Sequence, residues 1–380
     1  MNLIKLPLLV SAMCGGMLGV SLLSLCENMM IYGPGMYYAW LIGLPAIMFL
    51  TQTFAYLSSK LDGGPYGYVH EIFGKNLGFI VGYIYLLAII LQQTAVIYTS
   101  GIAYGHFFGE YSFWILPILC GFSQLTTLKT VLEINNIMNL LKLAPFVLVI
   151  LVGFVPGVAS MDLNHAPSNL IIMSPLTLIF FAFGGMEFNT INNTEEIEAP
   201  EKNIPLALQI STALTAIFYI TLQITICQAL APGQSIYDAF DKLLFTGASN
   251  VLSVTGIIIG WYSISFGINI GAQLISQMAK RGDMPLVVNR YQNASTSIIG
   301  VIIATILPMC FLPPLIAAQG YSPQYKILVE FFDLLYASIY FMCALGHYLL
   351  VTRDTINRHA IIPALSIASS ILFMYASYPF

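Results

Sequence analysis

The stretch Phe180-Phe181-Ala182-Phe183-Gly184-Gly185-Met186-Glu187 decides how this chain is read. Four apolar residues run into two glycines and then a carboxylate. The surrounding residues, 174–194, are apolar enough for a membrane-crossing helix, so the glycines fall where a helix should be smooth. Glycine in a helix interior costs about 1 kcal/mol relative to alanine. A second interruption, Gly15-Gly16-Met17-Leu18-Gly19, lies in the middle of the first apolar run. One glycine cluster alone is explained by close helix packing. Two of them in corresponding spans point instead to broken helices at a substrate site. Half-helix ends leave backbone groups without partners. Free N–H groups suit a carboxylate, and free C=O groups suit an ammonium or another cation.

Composition supports a membrane setting. Hydrophobic residues make up 58% of the 380 positions and charged residues 8%, against roughly 25% charged in a soluble protein. The 13 Lys+Arg and 17 Asp+Glu give a net charge of -4, too little to wet the surface of a globule this size. A soluble enzyme, a basic nucleic-acid binder and a disordered chain are excluded. Cys14, Cys26, Cys120, Cys227, Cys310 and Cys343 sit in apolar runs without paired spacing, and read as small apolar residues. No metal or cofactor signature occurs.

A helical span needs about 20 apolar residues. Eleven stretches qualify: 6–32, 36–58, 76–104, 112–127, 130–155, 174–194, 204–231, 250–279, 296–316, 326–351 and 359–378. Their apolar runs are continuous, without barrel alternation, so the fold class is an all-α membrane protein in one polytopic domain, 1–380. Five spans per unit make 6–155 a first repeat and 174–351 a second. An odd number of spans inverts the second copy, and 359–378 is an extra C-terminal helix. The first run continues past the cleavage-like Val10-Ser11-Ala12 and reads as a span, not a signal peptide.

Orientation follows from counting basic residues. With the N-terminus inside, Lys5, Lys60, Lys75, Lys129, Lys202, Lys280, Arg281, Arg290, Arg353 and Arg358 share the cytoplasmic side. Only Lys242 and Lys326 fall opposite, while Lys142 lies within a span. This positive-inside bias predicts an inner (plasma) membrane protein with a cytoplasmic N-terminus.

Charged groups at depth are functional hypotheses. Glu187 follows the second break. It is suited to loading and releasing a proton, or to holding free backbone at the break. Lys142, within Leu140-Leu141-Lys142-Leu143, has three readings: an ammonium standing in for a bound sodium ion, a snorkelling side chain, or half of a fixed ion pair. Glu27, Glu330 and Asp333 lie toward the outer ends of their spans, as solvated helix ends or as an acidic vestibule attracting cations. Gln92 and Gln93 face protein or a cavity, and His347 reads as a packing residue. Glu195, Glu196 and Glu198, with Lys202, read as a solvated turn.

Phe180–Glu187, the acidic pair Glu195-Glu196 and Pro200-Glu201-Lys202-Asn203-Ile204-Pro205 resemble the sixth-span signature of the amino acid–polyamine–organocation transporters. Gly63-Gly64-Pro65-Tyr66-Gly67-Tyr68 with Phe73-Gly74 resembles that family's loop after the second span. Gly16-Met17-Leu18-Gly19-Val20-Ser21 resembles its first-span break. The resemblance implies a LeuT-type 5+5 inverted repeat with broken helices 1 and 6, about eleven transmembrane helices, and alternating access. It implies that Gly16, Gly19, Val20 and Ser21 receive a substrate α-carboxylate, and that Gly184 and Gly185 receive the α-amino group. Gln93 adds a polar contact, Tyr85 and Phe181 act as gates, Glu187 senses protons and Lys142 replaces sodium. Val20 and Ser21 depart from the family's Ser-Gly, Gly267 stands near an expected tryptophan, and the usual twelfth span is missing.

The expected function is secondary-active transport of amino acids, with cationic amino acids and polyamines favoured by the acidic outer residues. It proceeds as antiport or proton symport, without enzymatic activity or cofactor. The partners are the small-molecule substrate, protons and the lipid bilayer, with no nucleic acid. Homodimer formation is left open. The alternative is a degenerate, non-transporting amino-acid sensor of the same fold.

Overall fold

The computed structural model describes residues 4–125, 128–155, 172–187, 190, 197–230, 234–289, 292–293, 296–318, 323–354 and 360–378. Glu195, Glu196, Arg290, Arg358, Pro379 and Phe380 lie outside them.

The first apolar run is a broken helix. It forms α1 (Leu6–Met17), a 3-10 turn (Val20–Leu23) and α2 (Leu25–Met30). Then follow α3 (Gly35–Ser58), α4 (Gly64–Phe73), α5 (Lys75–Phe108), α6 (Ser112–Ser123) and α7 (Leu128–Gly153). The second broken run begins with α8 (Met173–Phe183), which stops at Gly184. After it come α9 (Pro200–Ala229), α10 (Ile236–Leu243), α11 (Ala248–Lys280), α12 (Ile298–Cys310), α13 (Leu312–Ala318), α14 (Pro323–Asp354) and α15 (Ile361–Ala376).

Among the described residues, seven helical stretches are long and apolar enough to cross a bilayer. Shorter apolar helices at Leu6–Met17, Ser112–Ser123, Met173–Phe183 and Ile361–Ala376 occupy four further expected spans. Together they account for the eleven apolar stretches of the sequence. The all-α expectation holds apart from a two-residue hairpin, with Gln292 opposite Ser297 and Asn293 opposite Thr296.

Two helices appear where the sequence suggested only loops. α4 starts with proline in its first turn, where the missing N–H costs nothing. α10 carries a capping box between Ser235 and Asp238, which satisfies two orphan donors at once. Both are short and neither is a span, so apolar length alone did not reveal them.

Packing places the broken helices at the centre. α1 lies against α7 and α9, α8 against α3, α14 and α15, and α11 against α5, α7 and α12. Large apolar side chains such as Leu41, Leu140, Leu151 and Ile217 point outward, as hydrocarbon requires of a bundle surface. At the α4 end, Tyr66 donates to Asp283 at 2.7 Å and Arg281 pairs with Glu71 at 2.5 Å. These contacts tie α4 to the segment after α11.

Candidate functional site

The glycine clusters end their helices by different local means. At the first, Leu18 and Gly19 leave the helical region, with ψ 62° and -142°. At the second, Gly184 turns extended and Gly185 takes φ 96°, a left-handed conformation that favours glycine. Between the two breaks lies a cavity of about 40 Å³ lined by Gly16, Met17, Gly19, Val20, Ser21, Ile89, Gln92, Gln93, Val96, Phe181, Gly184, Ser263, Phe266 and Gly267. At 10–15 Å³ of such space per water, it holds roughly three waters. A substrate requires it to widen.

Of the residues singled out from the sequence, Gly16, Gly19, Val20, Ser21, Gln93, Phe181 and Gly184 therefore meet around one space. Gly185, Glu187, Tyr85 and Lys142 lie behind that wall rather than on it. Phe181 and Ser21 also line a second cavity, with Ser24, Leu25, Asn28, Leu178, Tyr325 and Val329. The Phe181 ring, 5.8 Å from that of Phe332, thus stands between two chambers.

The N–H groups of Gly19, Val20 and Ser21 begin the 3-10 turn and make no hydrogen bond among the described residues. All three residues line the cavity. The carbonyls on the other side of this break are covered: Lys142 Nζ donates to Gly15 O at 2.8 Å and Tyr219 donates to Met17 O at 2.9 Å. Lys142 is fully buried, beside the exposed Leu140 and Leu141, and its ammonium lies 3.6 Å from the Tyr262 ring centroid. The geometry is therefore not that of a snorkelling side chain, and no carboxylate pairs with it among the described residues. Ser21 Oγ lies 2.5 Å from the Tyr219 hydroxyl.

At the second break the Glu187 carboxylate lies beside the backbone of Gly185 and Glu187. It accepts from Tyr85 at 3.2 Å and from Tyr340. Tyr85 thus holds Glu187 and does not line the cavity. At the carbonyl end of α8, Phe180 O and Ala182 O accept no backbone hydrogen bond from beyond the helix among the described residues, since Gly184 N and Met186 N bond Phe181 O and Phe183 O.

Gln93 lies flat on Gly267, where a Cβ would come within 2.2 Å of its carboxamide, and donates to Ile264 O at 2.9 Å. The residue standing near an expected tryptophan is thus a glycine that makes room for Gln93. Gln92 accepts from Tyr336 at 2.7 Å. Among the described residues, no charged side chain lines either cavity.

The other acidic candidates separate. Glu27 accepts the Ile236 N–H at 2.8 Å and so anchors the start of α10. Glu330 pairs with Lys326 at 3.5 Å. Asp333 is 2% exposed, a buried group rather than a solvated helix end. His347 stacks on Tyr56 and bonds Thr53 at 2.9 Å, a packing environment. The six cysteines are free.

Sequence reasoning missed Tyr219, Tyr262, Tyr340, Ser263 and Phe266. With 22 tyrosines in the chain, no local pattern marks the ones whose hydroxyls reach a break. The only available signal was a hydroxyl-bearing ring amid an apolar run, and many runs carry one.

The profile described as amino acid permease matches residues 5–380. The putrescine transporter PotE of Haemophilus influenzae is 24% identical over 347 residues, covering 83% of this chain and 77% of that protein. PotE of Escherichia coli K12 is 24% identical over 362 residues, 87% of this chain and 79% of its own. The branched-chain amino acid permease BcaP of Bacillus subtilis is 25% identical over 221 residues, 50% and 46% of the two chains. A family match running almost end to end, on a chain whose two broken helices border one cavity, leaves one conclusion: this protein belongs to the amino acid permease family and is a multi-pass membrane transporter, not an enzyme.

Proposed function

We propose that the chain binds the head group of an α-amino acid between its two breaks and carries it by alternating access. One observation supports this most. The break in the first run offers three free N–H groups, Gly19, Val20 and Ser21, while the carbonyl end of α8 borders the same cavity at Gly184. The first end suits a carboxylate and the second an ammonium. Gly16 and Gly185 allow the two chain ends to approach the ligand, and Gln93 supplies the polar side wall. Phe181 gates the passage between the two chambers. Tyr85 acts through Glu187, orienting its carboxylate.

Lys142 fills an ion-like position, supported by its contact with the Gly15 carbonyl. Glu187 couples a proton to the cycle. When it changes protonation, its grip on Tyr85 and Tyr340 changes with it, and those contacts join the second break to α5 and α14. The repeat units are 6–155 and 174–351. The basic residues of the sequence support a cytoplasmic N-terminus in the inner membrane. Relatives named for putrescine and for branched-chain amino acids leave amino acids and polyamines as the substrate field, within which the free N–H groups favour a ligand with a carboxylate.

The test is counterflow by purified protein in liposomes preloaded with unlabelled amino acids. Labelled amino acid should accumulate, with a rate that depends on pH. Glu187→Gln should flatten that dependence. Binding without flux overturns the transport cycle, and an unchanged pH profile overturns the proton role of Glu187.

A further inference from the structure

Asp333 lies ten residues into α14, about 15 Å along the helix at 1.5 Å per residue. It is 2% exposed, and its Oδ2 is buried without a hydrogen-bond donor. No basic side chain pairs with it among the described residues, and the nearby Glu330 is already engaged by Lys326. The other polar groups on this side of α14 all have partners. Tyr325 bonds Thr99 at 3.1 Å, Tyr336 bonds Gln92 at 2.7 Å, and Tyr340 bonds Glu187. Asp333 is the exception on an otherwise satisfied face.

Its position indicates what would satisfy it. Val329, Asp333 and Tyr336 follow the i, i+4, i+7 spacing of one helix stripe. Val329 lines the chamber beyond Phe181. Tyr336 is bonded to Gln92 in the wall of the central cavity. Phe332, next in sequence, packs on the gate residue Phe181. Asp333 therefore flanks the junction of the two chambers. A buried carboxylate is costly unless it is paired, and no described residue brings a cation to it. No cluster able to hold a metal ion occurs among the described residues.

We propose that Asp333 is the specificity-determining carboxylate of this transporter, pairing with the side-chain cation of a basic amino acid whose head group sits at the two breaks. The inference rests on the head-group site proposed above and adds the third charge. It accounts for a cavity without charged lining that nevertheless has an unpaired acid beside its gate. A neutral amino acid uses the breaks alone. A basic one gains a charge-assisted bond when Phe181 moves and α14 comes into contact with the ligand.

The test uses the full chain in liposomes, with labelled lysine, its uncharged analogue norleucine, and leucine. The wild type should prefer lysine to norleucine, and lysine should compete against leucine uptake. Asp333→Asn should raise the KM for lysine by roughly 10–100-fold, the worth of a charged hydrogen bond, while the KM for leucine stays within about twofold. Asp333→Glu should restore part of the lysine preference. Equal handling of lysine and norleucine by the wild type overturns the proposal without any variant, so a misfolded Asp333→Asn does not shield it. An equal rise for lysine and leucine in a folded Asp333→Asn also overturns it, since a structural role would act on both. Wild-type uptake of leucine but not lysine overturns this inference alone, whereas no amino-acid uptake at all overturns the head-group site beneath it.

Discussion

The two broken runs carry similar glycine clusters and finish with opposite chemistry. At the first break the chain covers carbonyls, with Lys142 on Gly15 and Tyr219 on Met17, and leaves N–H groups open. At the second, the Glu187 carboxylate lies beside the backbone of Gly185 and Glu187, held there by Tyr85 and Tyr340, and among the described residues the last carbonyls of α8 take no backbone donor from beyond the helix at Phe180 and Ala182. Each break thus has one end met by a titratable side chain of the sign its dipole prefers: an amine on carbonyls, a carboxyl beside N–H groups. A half-helix end in hydrocarbon costs several kcal/mol if nothing meets it. The choice of which end is closed therefore selects which ligand group the other end attracts. On the function proposed above, the pair forms one binding site for a zwitterion rather than two copies of one device.

That contrast can be broken most severely at Lys142. Lys142→Met leaves the Gly15 carbonyl without its donor, at about 1–3 kcal/mol, and removes the one buried lysine or arginine among the described residues. Counterflow should fall roughly 10–100-fold in protein that still unfolds cooperatively on heating. Retained flux would mean that the first break does not need its carbonyls closed.

Gly185→Ala attacks the other break through the backbone. Its φ of 96° costs a side-chain-bearing residue about 1–2 kcal/mol. Uptake should drop about tenfold, with loss of the pH response as Glu187 shifts with the backbone beside it. A variant with normal rate and normal pH profile would detach Glu187 from the break.

Tyr219→Phe sharpens the comparison more gently. It removes the donor to Met17 O and the partner of Ser21, at about 1 kcal/mol. The KM should rise roughly fivefold with little change in maximal rate, measured as initial uptake against substrate concentration. A change in maximal rate alone would place Tyr219 in the conformational step instead of the binding wall.

Asp241, outside the spans, supplies the smallest effect and a control. The Ser249 N–H at 2.7 Å, then the Ser249 hydroxyl and the Gly247 N–H, hold its carboxyl below the usual carboxylate range. A depressed value means that the anchoring is complete above the ordinary aspartate range, near pH 4, and fails only as pH falls below it toward the held value. Protection of the Gly247 and Ser249 amides from hydrogen exchange should persist at mildly acidic pH and be lost in Asp241→Asn, with uptake unchanged. Altered uptake would link this loop to the transport cycle.

The sequence was most informative where a residue type is expensive at membrane depth. Composition and continuous apolar runs gave the helical bundle, because hydrocarbon leaves the backbone few alternatives. The glycine clusters marked both breaks, because nothing else in the runs justified their helix cost. Glu187 and Lys142 stood out for the same reason. The sequence reading erred toward solvent for Asp333: distance along a helix does not say whether a residue faces water or a neighbouring helix. Tyr85, expected as a gate, donates to Glu187, a partner 102 residues away that no local pattern in the sequence announces.

By itself, then, the sequence determined the solvent, the number of crossings and the positions of the breaks. All three depend on local cost: apolar length, glycine in a helix, charge in hydrocarbon. Only the tertiary structure decided which side chains meet each break, that Tyr219 and Tyr340 are among them, that Gly267 makes room for Gln93, and that Asp333 follows the residue packed on Phe181 and is unpaired among the described residues. Those outcomes depend on helices that meet across long sequence separations, and a hydroxyl or carboxylate has no partner until the packing brings one to it.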